Sequence, residues 1–279
     1  RRPAPSSCAV TPGEGLQDLG HAALVQVGPL PPRDLRVRRV QLGNAEIARD
    51  VQPRYAHDIL LVNRDGKLRE LYRTVDRDCQ LSMVTAKQKP GYQSYKRSAV
   101  FLLLKAFADT VGLENLDGVT EEFSVSSALF LRASGDFTLD AALLAKVEER
   151  MRELVRLELP IEKQTLYTED AIDLFHRHNM EDKARLFRFR VNSHVNVYTL
   201  DGFTDYFYGY MVPDTSYIKH FALLPAGEGG IYLRLPAQAD PEKLGDFTPS
   251  VKVSEAQLQA TLHTERLGIQ IGRASCRER

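Results

Sequence analysis

The sequence predicts an α+β protein, in which a small sheet-rich unit precedes a larger unit of mixed helices and strands. Its 279 residues are 43% hydrophobic, which is typical of a globular chain with material for one large domain or two modest ones. Short apolar runs separated by turn residues fill the first third, and apolar stripes at helical spacing follow. We find no internal repeat and no heptad pattern.

The first unit is expected to span residues 22–88. LRVRRVQL alternates apolar and charged residues as a half-buried strand does, and NAEIARDV places Asn44 as a cap before a helical face. In DILLVNRDGKLREL, the pair Asp65-Gly66 supplies the positive φ of a tight hairpin turn. CQLSMVT closes the unit as a strand. This order is typical of a small β-grasp fold, and residues 1–21, rich in Pro, Gly and Ser, are expected to form a loose leader.

The second unit is expected to span residues 89–240, after a linker at Lys87–Gly91. RSAVFLLLKAFADTVG predicts a buried helix that Gly112 stops. FSVSSALFLRA predicts a strand that follows a turn at Leu116–Gly118.

The clearest helix of the chain starts at Leu139 and Asp140 and ends before Pro160, which forbids its continuation. Its predicted apolar stripe consists of Leu143, Leu144, Val147, Met151, Leu154 and Val155. Thr168 is expected to cap another helix, and Gly227–Gly230 is expected to close a hairpin.

The charge and cysteine content limit the function classes. The 37 basic and 37 acidic residues leave no net field for a phosphate backbone or an anionic membrane, so neither is expected as a partner. No apolar run approaches the roughly 18 residues that span a bilayer. Cys8, Cys79 and Cys276 form no CxxC, so no disulfide framework or thiolate zinc site is predicted. A cytoplasmic location is the expectation.

The C-terminal end is interpreted as a connector, residues 241–270, followed by a foreign tail, residues 271–279. The tail IGRASCRER resembles the read-through of a sequencing adapter. We therefore expect the natural chain to continue beyond it.

Motifs for nucleotide binding and for metal binding do not occur. The chain has no G-x-x-x-x-G-K-[ST] and no G-x-G-x-x-G, so no nucleotide loop is predicted. His176 and His178 are two apart on a predicted helix and face different directions, and His194 and His220 stand alone. We therefore predict no catalytic residue, no metal site and no cofactor within this chain.

The stretch TDYFYGYMVPDT places Tyr206, Tyr208 and Tyr210 at every second position. In an extended strand, this spacing puts the three phenols on one face. Two interpretations remain open. The stretch is either a half-buried strand favoured by β propensity, or a set of phenols that line a ligand cleft.

Two segments together resemble a known domain. RSAVFLLLKA and FYGYMVPDTSYIKHFAL are similar to the two halves of the second additional domain of threonyl- and alanyl-tRNA synthetases. In that family, a helix carries H-S-x-x-H-L-L-x-x-A, a later strand carries C-x-x-x-H-V-P, and the four ligands form a hydrolytic editing centre for mischarged tRNA. The unit in front resembles the TGS domain that precedes it in threonyl-tRNA synthetase.

All four ligand positions are substituted here. In register with the motifs, the histidines of the helix fall on Arg97 and Phe101, the cysteine on Phe207 and the last histidine on Met211. The resemblance therefore implies that the editing chemistry is absent, because phenylalanine binds no metal and a thioether is a poor zinc ligand.

Several blocks also resemble the front part of bacterial uridine kinase-like nucleoside kinases. These blocks are Y-x-R-S-A-x-F-L-L, M-x-x-L-V-x-x-x-L-P-I-x-K, E-D-A-I-D-L-F, M-E-D-K and D-Y-F-Y-G-Y-M. The resemblance implies a parent enzyme that phosphorylates a nucleoside with ATP and Mg in a missing C-terminal kinase domain. That domain would be a partner of this non-catalytic portion.

A retained cleft is the binding hypothesis for this portion. Lys96 and Arg97, with Tyr206, Tyr208 and Tyr210, are the candidate residues for a small anionic or nucleoside-like regulator. The alternatives are a free-standing aminoacyl-tRNA deacylase and a tRNA-binding module.

Overall fold

The structure contains both α-helices and β-sheets, which confirms the predicted α+β class. The computed structural model describes residues 16–18, 24–26, 35–37, 43–125, 127–177, 180–189, 193–227, 230–248, 256 and 259–260. They fall into an N-terminal unit, Arg1–Val84, and a C-terminal unit, Thr85–Arg279. The predicted tail and most of the predicted leader and connector lie outside these residues. None of the described helices is long and apolar enough to cross a membrane.

The N-terminal unit is built on one sheet. Its strands are β1 (Leu16–Asp18), β2 (Leu24–Gln26), β3 (Leu35–Val37), β4 (Ile59–Arg64), β5 (Lys67–Glu70) and β6 (Cys79–Thr85). Their order in the sheet is β1-β2-β3-β6-β4-β5. Helix α1 (Asn44–Val51) buries Ile47 and Val51 in a cluster with Ile59 and Leu81. Strand β1 falls within the segment predicted as a leader and pairs antiparallel with β2.

Helix α1 is capped by Gly43 and not by the predicted Asn44. Asn44 is the first residue of the helix, where its buried side-chain amide donates to the Glu70 carbonyl over 3.2 Å. The Glu46 carboxylate accepts the Gly43 N–H over 3.0 Å and takes over the capping role.

The predicted hairpin between β4 and β5 is confirmed. Arg64 pairs with Lys67, and the two residues between them have φ values of 50° at Asp65 and 81° at Gly66. Positive φ at both central positions is the requirement of a type I′ turn.

A long buried helix, α2 (Lys89–Val111), runs through the C-terminal unit. It begins within the stretch predicted as a linker, Lys87–Gly91, because Pro90 is well suited to the first turn of a helix. The predicted stop at Gly112 is confirmed, since Gly112 is the C-cap with φ of 85°.

A four-stranded antiparallel sheet has the order β12-β13-β8-β7. The strands are β7 (Leu116–Val125), β8 (Ala128–Gly135), β12 (Ala222–Ala226) and β13 (Gly230–Arg234). The predicted turn at Leu116–Gly118 is wrong, because these residues already belong to β7, where a register shift leaves Asp117 as an extra residue between the paired Leu116 and Gly118. The predicted hairpin at Gly227–Gly230 is confirmed by the pairing of β12 with β13.

Helix α3 (Ala141–Arg156) confirms the clearest helix prediction. The Asp140 carboxylate caps it by accepting the Leu143 N–H over 2.7 Å. Four residues of the predicted stripe are buried, namely Leu144, Val147, Met151 and Leu154, and Leu143 and Val155 are half-buried.

A three-stranded antiparallel sheet has the order β11-β10-β9. Its strands are β9 (Glu162–Tyr167), β10 (His194–Leu200) and β11 (Phe203–Tyr206), and the helices α4 (Thr168–Arg177) and α5 (Glu181–Phe187) lie between β9 and β10 in sequence. Both helices pack on one face, where Phe175 and Phe187 meet Val195 and Val197.

Candidate functional site

Two segments that are far apart in sequence meet in the C-terminal unit. Arg97 and Phe101 lie about one turn apart on α2, and Phe207 and Met211 lie on the segment after β11. The rings of Phe101 and Phe207 meet edge to face with centroids 5.3 Å apart. Nη1 of Arg97 donates to the Tyr210 carbonyl over 3.4 Å. The structure thus brings together the two segments whose residues the resemblance aligns with the four editing ligands.

The interior of this site is apolar. Phe101 and Met211 are buried. The Ser98 hydroxyl lies 3.4 Å from Met211 Sδ and donates to the Ser94 carbonyl over 2.9 Å. It also accepts the Val212 N–H over 3.0 Å, which holds the loop against α2. The hydroxyl therefore supports the loop, and the neighbouring phenyl and thioether groups cannot move a proton.

Gly209 allows the loop to approach Arg97 closely. Its φ is +115°, and a Cβ at this position would lie 2.6 Å from Cζ of Arg97. Its carbonyl accepts the Tyr198 hydroxyl over 2.6 Å. The guanidinium therefore occupies the space that a side chain at 209 would need.

The predicted row of three phenols on one strand face is wrong. Strand β11 ends at Tyr206, which is buried and meets the Phe187 ring edge to face at 4.8 Å. Tyr208 is 56% exposed, and Tyr210 is half-buried. The alternation is lost because the chain leaves the strand and Gly209 then takes a positive φ.

Arg97 and Lys163 contact the loop that follows β11, and Glu121 interacts electrostatically with Lys96 and Arg97. Lys96 and Arg97 are half-buried on α2. Glu121 of β7 reaches solvent, yet desolvation by the surrounding protein raises the pKa of its carboxyl, against the opposing effect of Lys96 and Arg97. The Lys163 ammonium of β9 lies 5.6 Å from the ring centre of Tyr210.

Lys163 and its neighbour Tyr198 were missed as site residues in the sequence. The Lys163 ammonium lies 5.2 Å from the Tyr198 ring centre. The two residues are cross-strand partners of β9 and β10, and that pairing leaves no local sequence signal. Lys163 does fall within the quoted block that ends in P-I-x-K, which is the one hint available.

A buried ion pair anchors the strand that leads into the loop. Asp205 of β11 has a side chain that is 3% exposed and is paired with the Lys183 ammonium of α5. The same carboxylate accepts the Tyr206 N–H over 2.5 Å. A buried carboxylate needs this pairing, so the contact fixes α5 to the end of β11.

Within the described part of the chain, no three His, Cys, Asp or Glu side chains converge where they could hold a metal ion. Nε2 of His176 lies 3.3 Å from the Arg188 guanidinium, and the backbone N–H of His220 donates to the Tyr95 hydroxyl over 3.0 Å. His178 lies outside the described residues.

The α+β fold is compatible with the sequence comparisons. No protein-family model matches the chain. The chain is 27% identical over 199 residues to a threonine–tRNA ligase of Thermotoga petrophila, which covers 68% of this chain and 29% of that protein. It is 23% identical over 193 residues to the corresponding enzyme of Francisella tularensis subsp. novicida, which covers 69% and 30%. The chain is therefore similar to threonyl-tRNA synthetases over part of its length, and it spans about a third of the relatives it matches.

Proposed function

We propose that this chain is a synthetase-related module that binds tRNA and has lost the hydrolytic editing activity. One observation carries the proposal. The helix and loop that would hold the four editing ligands still meet, while Arg97, Phe101, Phe207 and Met211 occupy those positions. This meeting supports a retained binding site, and none of the side chains at the four positions could activate water.

Local charge supports binding of an anionic chain in spite of the even net charge. The half-buried Arg97 contacts the loop that carries the exposed Tyr208, since its guanidinium lies against Gly209 and donates to the Tyr210 carbonyl. Lys96 precedes Arg97 on α2, and the Lys163 ammonium lies over the Tyr210 ring. A guanidinium offers a fork of donors to a phosphate, and a phenol ring offers a stacking surface to a base.

Binding is tested by fluorescence anisotropy of labelled tRNA with the whole chain. Arg97→Ala is expected to weaken binding several-fold and to reduce the salt slope by about 1, because one phosphate contact is lost. Lys243→Ala is the matched control, since Lys243 is exposed and its ammonium lies 3.1 Å from Asp240. Equal binding by both variants and the parent chain would contradict the site.

A hydrolysis assay distinguishes the deacylase alternative from the tRNA-binding module. Mischarged tRNA is incubated with the chain, with and without added zinc, and the released amino acid is measured. We expect no release above the buffer rate, because none of the side chains at the four ligand positions is a general base or an ordinary zinc ligand. Hydrolysis that disappears in Arg97→Ala would establish the deacylase in place of the binding module.

The finer domain assignment is also a proposal. In the N-terminal unit, α1 packs on a sheet in which β3, β6, β4 and β5 are neighbours in that order. This arrangement supports a TGS-like β-grasp fold. A nucleoside kinase parent, with ATP and Mg in a further domain and a nucleoside regulator at Arg97, rests on the sequence blocks alone. The synthetase relatives lend it no support, and the downstream reading frame tests it through the presence of G-x-x-x-x-G-K-[ST].

A further inference from the structure

One face of the three-stranded sheet carries a row of aromatic, cationic and polar side chains. Directly opposed residues of β9 and β10 share a face, and every second pair returns to it. On this face lie the pairs Tyr167 with His194, Thr165 with Asn196 and Lys163 with Tyr198. The opposite face, with Val195 and Val197, packs against α4 and α5.

The outer end of this row is open to solvent. Tyr167 is 63% exposed, and its ring centre lies 4.5 Å from that of the exposed His194. Beside them, the Thr165 hydroxyl donates to the Asn196 side-chain carbonyl over 2.9 Å. The ring planes of this exposed tyrosine and exposed histidine are tilted by 39° to each other, and both rings present π surface to solvent.

The inner end of the row joins the candidate site. The Lys163 ammonium lies 5.6 Å from the Tyr210 ring centre, and the Tyr210 carbonyl accepts from Arg97. From Tyr167 to Lys163, the strand rises about 13 Å at ~3.3 Å per residue. The six side chains that β9 and β10 contribute to this row include no carboxylate. Asp205 of β11 lies opposite Tyr198, but it is buried and paired with Lys183, so the charge that the row presents is the Lys163 ammonium, which is complementary to an anionic strand.

We propose that this face binds single-stranded nucleic acid, with bases stacked on Tyr167 and His194 and the backbone running past Lys163 towards Arg97. The inference rests on the proposed function and names the surface through which the RNA approaches the site. Unpaired bases are required, because a duplex hides the faces of its bases, while exposed aromatics on a sheet stack two or three bases of a single strand. A protein partner is disfavoured since polar groups interrupt the aromatic surface.

The test is anisotropy with a labelled single-stranded RNA of about eight nucleotides and with the duplex of the same sequence. The parent chain is expected to prefer the single strand. Tyr167→Ala is expected to weaken binding about ten-fold or more, and Tyr167→Phe to retain it within about two-fold, because the ring supplies the stacking. Tyr72→Ala, at an exposed tyrosine of the N-terminal unit, is the control and is expected to match the parent chain.

The outcomes separate this inference from the proposed function. If Tyr167→Ala binds the single strand as the parent chain does, or if the duplex binds equally well, the stacking face is refuted. The proposed function survives that result when Arg97→Ala still weakens binding of tRNA. If Tyr167→Ala weakens RNA binding and Arg97→Ala does not, the stacking face is supported and the Arg97 site is refuted. If the chain binds neither the single strand nor tRNA, both proposals are overturned.

Discussion

Gly209→Ala is expected to destabilise the C-terminal unit and to disturb the candidate site at the same time. The methyl group would lie 2.6 Å from Cζ of Arg97, which is closer than carbon atoms approach. The backbone of an alanine would also be strained at a φ of +115°. Either the loop or the guanidinium must therefore move.

The two effects can be given magnitudes. An L-residue in a sparsely populated backbone region costs about 1–3 kcal/mol. Loss of the hydrogen bond from Arg97 to the Tyr210 carbonyl adds about 1 kcal/mol. A total of about 2–4 kcal/mol lowers the melting temperature of a unit of this size by roughly 4–16 °C.

The assay is thermal and urea unfolding of the parent chain and of four variants, namely Gly209→Ala, Gly202→Ala, Arg97→Ala and the double variant Arg97→Ala with Gly209→Ala. Gly202→Ala is the matched control, because Gly202 has a φ of +76° and no atom within 4 Å of the added Cβ, so it reports strain without a clash. In the Arg97→Ala background, Gly209→Ala is expected to cost about 1 kcal/mol less, since the guanidinium and its hydrogen bond to the Tyr210 carbonyl are already absent. The reasoning would be refuted if Gly209→Ala and Gly202→Ala lowered the free energy of unfolding equally and if the effects of Arg97→Ala and Gly209→Ala were additive in the double variant.

Three further side chains carry predictions. Asp140→Ala removes the cap of α3 and is expected to cost about 1 kcal/mol in urea unfolding; an unchanged midpoint would count against the capping bond. Because desolvation raises the pKa of Glu121, the carboxyl is protonated as the pH falls through that raised value and no longer offsets Arg97. RNA binding is then expected to tighten on acidification in the parent chain but not in Glu121→Gln, and parallel pH profiles would contradict this. Lys183→Met leaves Asp205 unpaired and is expected to cost about 3–5 kcal/mol by urea unfolding, more than the double variant Lys183→Met with Asp205→Asn.

The elements predicted well were those with signals within a few residues. The turn at Asp65-Gly66 was predictable because two adjacent residues supply the required φ values. The bounds of α3 were predictable because Asp140 caps it and Pro160 ends the pattern. The start of α2 was missed, since a stretch with Pro90 and Gly91 has the composition of a linker although proline is favoured in a first helical turn.

The candidate site was harder to predict, because its parts are joined by contacts over long sequence separations. The resemblance pointed to Arg97 and Phe207, which lie more than a hundred residues apart and meet in the structure. The alternation of tyrosines gave a wrong prediction for their positions. Alternation predicts which side chains share a face of a strand, but it does not show that the strand ends at Tyr206. Lys163 was missed because cross-strand pairing decides its neighbours.

The buried thiol of Cys79 makes opening of the N-terminal unit measurable by a chemical reaction. Cys79 is 9% exposed in β6, and burial raises the pKa of its thiol, so little of the reactive thiolate is present in the folded unit. Alkylation at this residue therefore proceeds through molecules in which the strand has separated, and its rate follows the population of those molecules. Peptide mapping distinguishes Cys79 from Cys8 and Cys276, so the unmutated chain reports the local unfolding of one unit without an introduced label.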